Sequence, residues 1–167
     1  MTLLRQIFDL LRLRATALFF AALIASPVMA QDVLLTVTGA IDGDAPRTFD
    51  RDALHDMPRT QFTTSTVWTA GRIQFAGVLL SDLMAAVGAT GDTLHAVALN
   101  DYAVALPMSD AGPDGPIIAY EVNGKPMSVR EKGPLWIVYP YDSDGRYRTE
   151  TIYGRSVWQL VRIEVRD

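Results

Sequence analysis

Side chains that bind metals or perform acid–base chemistry are few in this sequence. It contains no cysteine and only two histidines, His55 and His95, with no carboxylate pattern around them. We interpret both histidines as structural and predict no metal site built from side chains, because zinc and transition-metal sites need clustered His or Cys ligands. Asp142 and Asp144 could bind calcium weakly, although a solvated turn is the more typical role of such a pair.

Glycine and serine motifs for catalysis are missing as well. Gly88 and Gly91 match neither the dinucleotide-binding spacing nor the P-loop spacing. No serine lies in a nucleophile elbow. We therefore assign no catalytic residue from the sequence.

The first thirty residues are typical of a secretory signal peptide. Three arginines precede an apolar stretch from position 15 to 25, Pro27 interrupts it, and Val28-Met29-Ala30 is a cleavage motif. The apolar stretch is shorter than the roughly 20 residues of a membrane span. We predict a general Sec-type signal (residues 1–30), a periplasmic location, a single domain (residues 31–167) and no membrane span after cleavage. The arginines are not adjacent, so a twin-arginine signal is not indicated.

Charge is unevenly distributed along the predicted mature chain. Removal of Arg5, Arg12, Arg14 and Asp9 leaves 12 basic and 18 acidic side chains, a net charge of −6. Such a balance does not favour nucleic acid or anionic lipid. Eight of the basic residues nevertheless lie from Lys125 onward, which leaves open a cationic face in the second half.

The pattern of apolar residues predicts many short strands and two short helices. Asp50 is a candidate N-cap for a helix over 52–55, and Ser81 is one for a second helix that Gly88 ends. Asn123-Gly124 predicts a tight hairpin turn. Residues 141–151 are polar and aperiodic, which indicates a long loop. The predicted strands cover residues 33–38, 61–67, 93–99, 102–106, 117–122, 135–139 and 158–165. Together these elements predict an α+β domain with a mixed or mostly antiparallel sheet.

Four motifs in order give the sequence a family resemblance. They are Phe75–Leu80 followed by Asp82-Leu83-Met84, Asn100-Asp101-Tyr102, Ala119–Met127 and Gly133–Pro140. In this order and spacing they resemble the molybdopterin-binding domain of the sulfite oxidase family, over about Phe62 to Val165. The resemblance implies that family's fold and, in its enzymes, a molybdenum cofactor.

The resemblance also exposes departures at the cofactor. Family enzymes carry a cysteine ligand to molybdenum two residues after a phenylalanine and four before a tryptophan. In the frame Phe62 to Trp68 that position holds Thr64, whose hydroxyl is a harder and far less acidic ligand than a thiol. An arginine of the family is replaced by Trp136. Periplasmic members of the family are commonly loaded with cofactor before twin-arginine transport, whereas a Sec signal implies export unfolded. We therefore expect no molybdenum redox chemistry.

Three functions are compatible with these observations. The first is a binding or sensory domain for a small, planar or anionic ligand such as a pterin, because guanidinium groups near aromatic rings suit such ligands. The second is a molybdopterin-dependent oxidoreductase that holds its cofactor by the pterin alone. The third is a periplasmic accessory to a membrane sensor or reductase, with Tyr141, Tyr147 and Tyr153 as an exposed contact patch. The candidate ligand-binding residues are Thr64, Trp68, Arg72, Asn100, Asp101, Tyr102, Arg130, Arg148 and Arg155.

Overall fold

The computed structural model describes residues 32–167, so the predicted signal peptide lies outside the described residues. Ten strands and three α-helices make up this part of the chain. The strands are β1 Leu35–Gly39, β2 Arg47–Phe49, β3 Arg59–Ser65, β4 Arg72–Leu79, β5 Thr93–Ala98, β6 Ala103–Pro107, β7 Ile117–Val122, β8 Lys125–Pro126, β9 Trp136–Val138 and β10 Leu160–Arg166. The helices are α1 Arg51–His55, α2 Leu80–Ala86 and α3 Glu150–Arg155.

The strands form two five-stranded sheets. The first has the order β2-β1-β10-β5-β6, and its β1–β10 pair is parallel while its other pairs are antiparallel. The second has the order β3-β4-β7-β8, with β9 also paired to β7, and is antiparallel throughout. Both sheets contribute to one cluster of buried apolar residues. The predicted α+β class with a mixed sheet is confirmed, although the strands divide into two sheets.

Local signals in the sequence explain several of these elements. Asp50 caps α1 as predicted, by accepting a hydrogen bond from the Ala53 amide at 2.8 Å. Asn123 and Gly124 both adopt positive φ, at 49° and 72°, in the tight turn between β7 and β8. Gly77 is needed for a different reason. A Cβ at this position would collide with the backbone carbonyl of Ile118 on β7.

Two predictions of helix position were wrong. Ser81 is not an N-cap, because β4 passes directly into α2, which begins at Leu80 with no side-chain cap. The Leu80 amide donates instead to the carbonyl of Pro116 at 3.0 Å. The predicted loop over 141–151 also contains a 3-10 turn and the start of α3, which Thr149 caps by accepting from the Ile152 amide. Helix α3 was missed because its sequence is polar and short and contains Gly154.

The predicted tyrosine contact patch was wrong. Tyr141 and Tyr147 are buried in the core cluster, and Tyr153 is half-buried against it. Their rings pack on neighbouring aromatic rings, so the polar residues between them misled the prediction of an exposed loop. No helix in residues 32–167 is long and apolar enough to cross a membrane.

Candidate functional site

An open pocket of about 420 Å³ lies where the loop after β3, the β5–β6 turn and the end of α3 meet. Four of its lining residues are aromatic. The ring of Trp68 lies 5.5 Å from that of Trp158 and 5.8 Å from that of Tyr153, nearly perpendicular to both. The lining residues are Val67, Trp68, Ala98, Asn100, Tyr102, Tyr153, Gly154, Ser156, Val157 and Trp158. We call this site the aromatic pocket.

Asn100, Asp101 and Tyr102 form the β5–β6 turn at one side of the aromatic pocket. Asp101 has a φ of 63°, and the Oδ1 of Asn100 accepts a hydrogen bond from the Tyr102 amide at 3.2 Å. Asn100 and Tyr102 thereby line the pocket, while the exposed Asp101 does not. The Tyr102 hydroxyl donates to the Gly154 carbonyl at 2.9 Å and so links this turn to α3.

Thr64 is buried at the end of β3, with 1% of its surface exposed. Its hydroxyl oxygen accepts a hydrogen bond from the Asp142 amide at 3.0 Å and donates to the Ser65 carbonyl at 3.3 Å. Both hydrogen-bonding roles of the hydroxyl are therefore used within the fold. Thr64 does not line the aromatic pocket.

The carboxylate of Asp142 binds several polar and charged groups near Thr64. It accepts hydrogen bonds from the Ser65 amide at 2.8 Å and the Ser65 hydroxyl at 2.6 Å. Arg148 donates to it at 2.7 Å, and the Arg72 Nε lies 3.4 Å away. These hydrogen bonds, first those from Ser65 and then that from Arg148, hold the pKa of Asp142 below its ordinary value. Asp142 lies in a turn as predicted, but its side chain is only 17% exposed and is paired within the fold, so the prediction of a solvated carboxylate was wrong.

Arg155 lies at a different carboxylate. Its Nη1 lies 3.0 Å from the Oδ2 of Asp110, which also accepts a hydrogen bond from the Tyr139 hydroxyl at 2.7 Å. Tyr139 is fully buried, and burial together with this bond raises its pKa. The guanidinium groups of Arg72, Arg148 and Arg155 are thus all paired with carboxylates, which sequence reasoning did not foresee.

Arg130 lines a separate pocket of about 550 Å³, which we call the basic pocket. Lys125 and Lys132 also line it, together with one acidic residue, Glu131, whose carboxylate accepts a hydrogen bond from the Ser128 hydroxyl at 3.0 Å. Trp136 and Met127 supply apolar surface. The Lys132 ammonium lies 4.5 Å from the ring centre of Trp158 and 5.8 Å from that of Trp136. The side chains of Lys125 and Arg130 contact no carboxylate among the described residues.

The nine candidate residues thus divide into four places. Trp68, Asn100 and Tyr102 meet at the aromatic pocket, beside the exposed Asp101. Thr64, Arg72 and Arg148 surround Asp142, Arg155 is at Asp110, and Arg130 is at the basic pocket. Sequence reasoning missed seven of the ten lining residues of the aromatic pocket, among them Tyr153, Ser156 and Trp158. A correct prediction of α3 would have indicated Tyr153, which lies on that helix.

Large exposed apolar side chains gather beside the aromatic pocket. Val67 is 62% exposed and Tyr102 49%, and both line the pocket. Leu99, at 57%, precedes Asn100 in the same turn. If the protein is an accessory to a membrane sensor or reductase, these three exposed residues, rather than the tyrosine patch, are the candidate contact surface. The accessory role stays a prediction.

Comparison with known proteins identifies the fold and the family. A search of curated proteins found no matching sequence. Among solved structures, the chain is similar to the sulfane dehydrogenase SoxCD from Paracoccus pantotrophus, with a TM-score of 0.64 and 23% sequence identity. The match covers 86% of this chain and 40% of the SoxCD chain, so this chain spans well under half of that protein's length. Residues 24–166 match the oxidoreductase molybdopterin-binding domain family. The chain is therefore a member of this family, and it lacks the cysteine that binds molybdenum in the family's enzymes.

Proposed function

We propose that this protein is an exported small-molecule-binding domain, built on the molybdopterin-binding oxidoreductase fold, that performs no molybdenum redox chemistry. The observation that carries the proposal is the aromatic pocket. It has a volume of about 420 Å³ and a mainly apolar lining with a few polar groups. These are the general properties of pockets that bind small organic molecules.

The residues at Thr64 do not fit a molybdenum centre. A metal ligand there would need a free, readily ionised donor, and the family's enzymes use a soft thiolate. The Thr64 hydroxyl is buried and already joins two segments of the backbone through the Asp142 amide and the Ser65 carbonyl. The nearby Arg72 and Arg148 are held by Asp142. We derive no catalytic step at this position.

The polar groups of the aromatic pocket are suited to orienting a ligand. The Asn100 Oδ1 is used within the β5–β6 turn, which leaves its amide nitrogen free to donate to an acceptor on the ligand. The Ser156 hydroxyl donates to the Ile152 carbonyl and accepts from Tyr141, so it stiffens the pocket wall rather than binding. Aromatic walls supply most of the contact area, because each buried ring contributes a large apolar surface.

A blocking variant with a matched control tests the proposed site. Gly154 lines the aromatic pocket and Gly145 does not, yet a Cβ at either glycine would meet no neighbouring atom within 4 Å. We expect Gly154→Leu to fold normally and to lose binding of small molecules, whereas Gly145→Leu retains it. Thermal shift and calorimetry with a neutral pterin, choline chloride and sodium benzoate provide one neutral, one cationic and one anionic probe.

Two further measurements complete the test. Native mass spectrometry of protein purified from its own cellular compartment should detect a bound small molecule that Gly154→Leu lacks. Metal analysis of the same preparation should find molybdenum far below one atom per chain. Stoichiometric molybdenum would establish the competing function, a cofactor-dependent oxidoreductase. Binding that is equal in Gly154→Leu and Gly145→Leu would refute the aromatic pocket as the site.

The basic pocket favours a second candidate function, the binding of a small anion. Lys125 and Arg130 are cations without carboxylate partners among the described residues, and they lie beside the apolar surface of Trp136 and Met127. The test measures the binding of inorganic phosphate and of benzoate to the Lys125→Ala, Arg130→Ala double variant. We expect this variant to lose anion binding and the exposed Arg162→Ala to retain it. Equal binding in both variants would remove this candidate.

A further inference from the structure

We propose that the preferred ligand of the aromatic pocket is an organic cation of the quaternary ammonium class, with methyl groups on its nitrogen. This inference rests on the proposed function, because it names the ligand class for the same pocket. It differs from the anionic ligand that the arginine-rich second half of the sequence suggested.

The lining of the pocket carries aromatic rings and no formal charge. Trp68, Tyr102, Tyr153 and Trp158 supply four rings, and none of the ten lining residues that the structure describes is acidic or basic. An anion would find no positive partner among the lining residues. The guanidinium of Arg155, the residue after the lining Gly154, is bound to Asp110. A methylated ammonium is attracted to ring faces and also buries its apolar methyl groups.

The arrangement of the rings supports the same ligand. Trp158 and Tyr153 are inclined at 78° and 84° to Trp68, with ring centres less than 6 Å from it. Rings at right angles form the corner of a box, and boxes of aromatic rings are a general means of binding quaternary ammonium groups. A flat stack of parallel rings would instead favour a planar ligand inserted between them.

The aromatic cluster already holds one cation. The Lys132 ammonium lies 4.5 Å from the ring centre of Trp158. Because Lys132 lines the basic pocket and not the aromatic pocket, it approaches the cluster from outside the proposed site. The charge of Lys132 allows a test of whether the aromatic pocket prefers cations or anions. Removing it should strengthen the binding of a cation in the aromatic pocket and weaken the binding of an anion there.

The surroundings of the pocket add a weaker attraction for cations. The predicted mature chain has a net charge of −6, and the exposed Asp101 lies between the lining residues Asn100 and Tyr102. A pocket of about 420 Å³ has room for a short chain attached to the ammonium group. An oxygen on that chain could accept a hydrogen bond from the Asn100 amide nitrogen.

The experiment compares choline chloride with 3,3-dimethylbutanol, its neutral isostere, by calorimetry on the full mature protein. We expect choline to bind at least about 10-fold more tightly, since a desolvated cation–aromatic contact provides that difference. Tyr153→Leu should weaken choline binding by about 5-fold or more, whereas Tyr153→Phe, which keeps the ring, should stay within about 2-fold. Lys132→Gln should tighten choline binding.

Each alternative outcome has a definite meaning. If the isostere binds as tightly as choline, the pocket has no preference for charge and the inference is overturned, while small-molecule binding stands. The inference is also overturned, and small-molecule binding also stands, if the neutral pterin or benzoate binds, choline does not, and Gly154→Leu abolishes that binding. If none of these probes binds and no molecule copurifies, both the inference and the proposed function fail.

Discussion

The hydroxyl of Thr64 accepts a hydrogen bond from the backbone amide of Asp142 at 3.0 Å, across 78 positions of sequence. The side chain of Thr64 therefore joins β3 to the segment after β9. The carboxylate of Asp142 joins the same two segments, because it accepts two hydrogen bonds from Ser65. Thr64, which the sequence resemblance places at the family's cysteine position, therefore has a structural role in this protein.

Removing the Thr64 hydroxyl should destabilise the protein. Thr64→Val keeps the shape of the side chain but leaves the Asp142 amide without its acceptor, so we expect a loss of about 1–3 kcal/mol in the free energy of unfolding. Thr64→Ser keeps the hydroxyl and should lose less. Urea unfolding of both variants provides the measurement. Equal stability of Thr64→Val and the parent protein would show that the bond contributes nothing.

Restoring a thiol should not restore the metal. We expect Thr64→Cys, produced in cells that make the molybdenum cofactor, to contain far less than one molybdenum per chain. The surrounding Arg72 and Arg148 are paired with Asp142, and Trp136 stands where the sequence resemblance predicts an arginine in family enzymes. Elemental analysis of purified protein measures this directly. A stoichiometric metal content would show that the single substitution accounts for the loss.

Asp142 should stabilise the fold in a pH-dependent way. Hydrogen bonds from Ser65 and Arg148 place its folded-state pKa below the ordinary 3.8. The contribution is therefore complete above pH 3.8 and is lost as the pH falls through the lower folded-state value. Asp142→Asn should be less stable at neutral pH, and its deficit should shrink in acid. Unfolding curves from pH 7 to pH 2 measure this, with the exposed Asp44→Asn as the control.

Tyr141 should resist ionisation. Burial raises its pKa from 10.0 to about 12, although its hydrogen bond to Ser156 acts in the opposite direction. Since the folded-state pKa is raised, the stability it contributes is complete below pH 10 and is lost as the pH rises through 12. Ultraviolet difference titration of the parent protein against Tyr141→Phe should assign a tyrosine that ionises late. A transition near pH 10 that disappears in the variant would contradict the burial.

Arg155 should be structural. Arg155→Ala removes the cation at the Asp110 carboxylate, which still accepts from the buried Tyr139, and we expect a loss of about 1–3 kcal/mol. Arg130→Ala removes an arginine with no carboxylate partner among the described residues and should leave stability unchanged. Thermal unfolding of the pair measures the difference. If the two variants melt together, the Arg155–Asp110 contact has no structural role.

Much of the fold follows from local signals in the sequence. The Asn123-Gly124 turn, the Asp50 cap and the glycine that ends α2 were predicted because each acts over a few residues. The start of α2 was not, because the Leu80 amide is satisfied by Pro116, a distant residue. Helix α3 escaped prediction because its short, polar sequence becomes helical through a Thr149 cap and packing of Ile152 into the core.

The sequence by itself determined the absence of any thiol ligand, the threonine in the metal-ligand frame, and the α+β class. Composition and short-range pattern are sufficient for these, because they do not depend on which distant residues meet. Only the tertiary structure decided the charge of the aromatic pocket. The arginines of the second half were grouped by sequence, but folding pairs two of them, Arg148 and Arg155, with Asp142 and Asp110. Arg72 from the first half also lies at Asp142, and the pocket is left with four aromatic rings. These pairs join residues that are far apart in the sequence and that only the folded sheets bring together, so a local sequence pattern does not predict them.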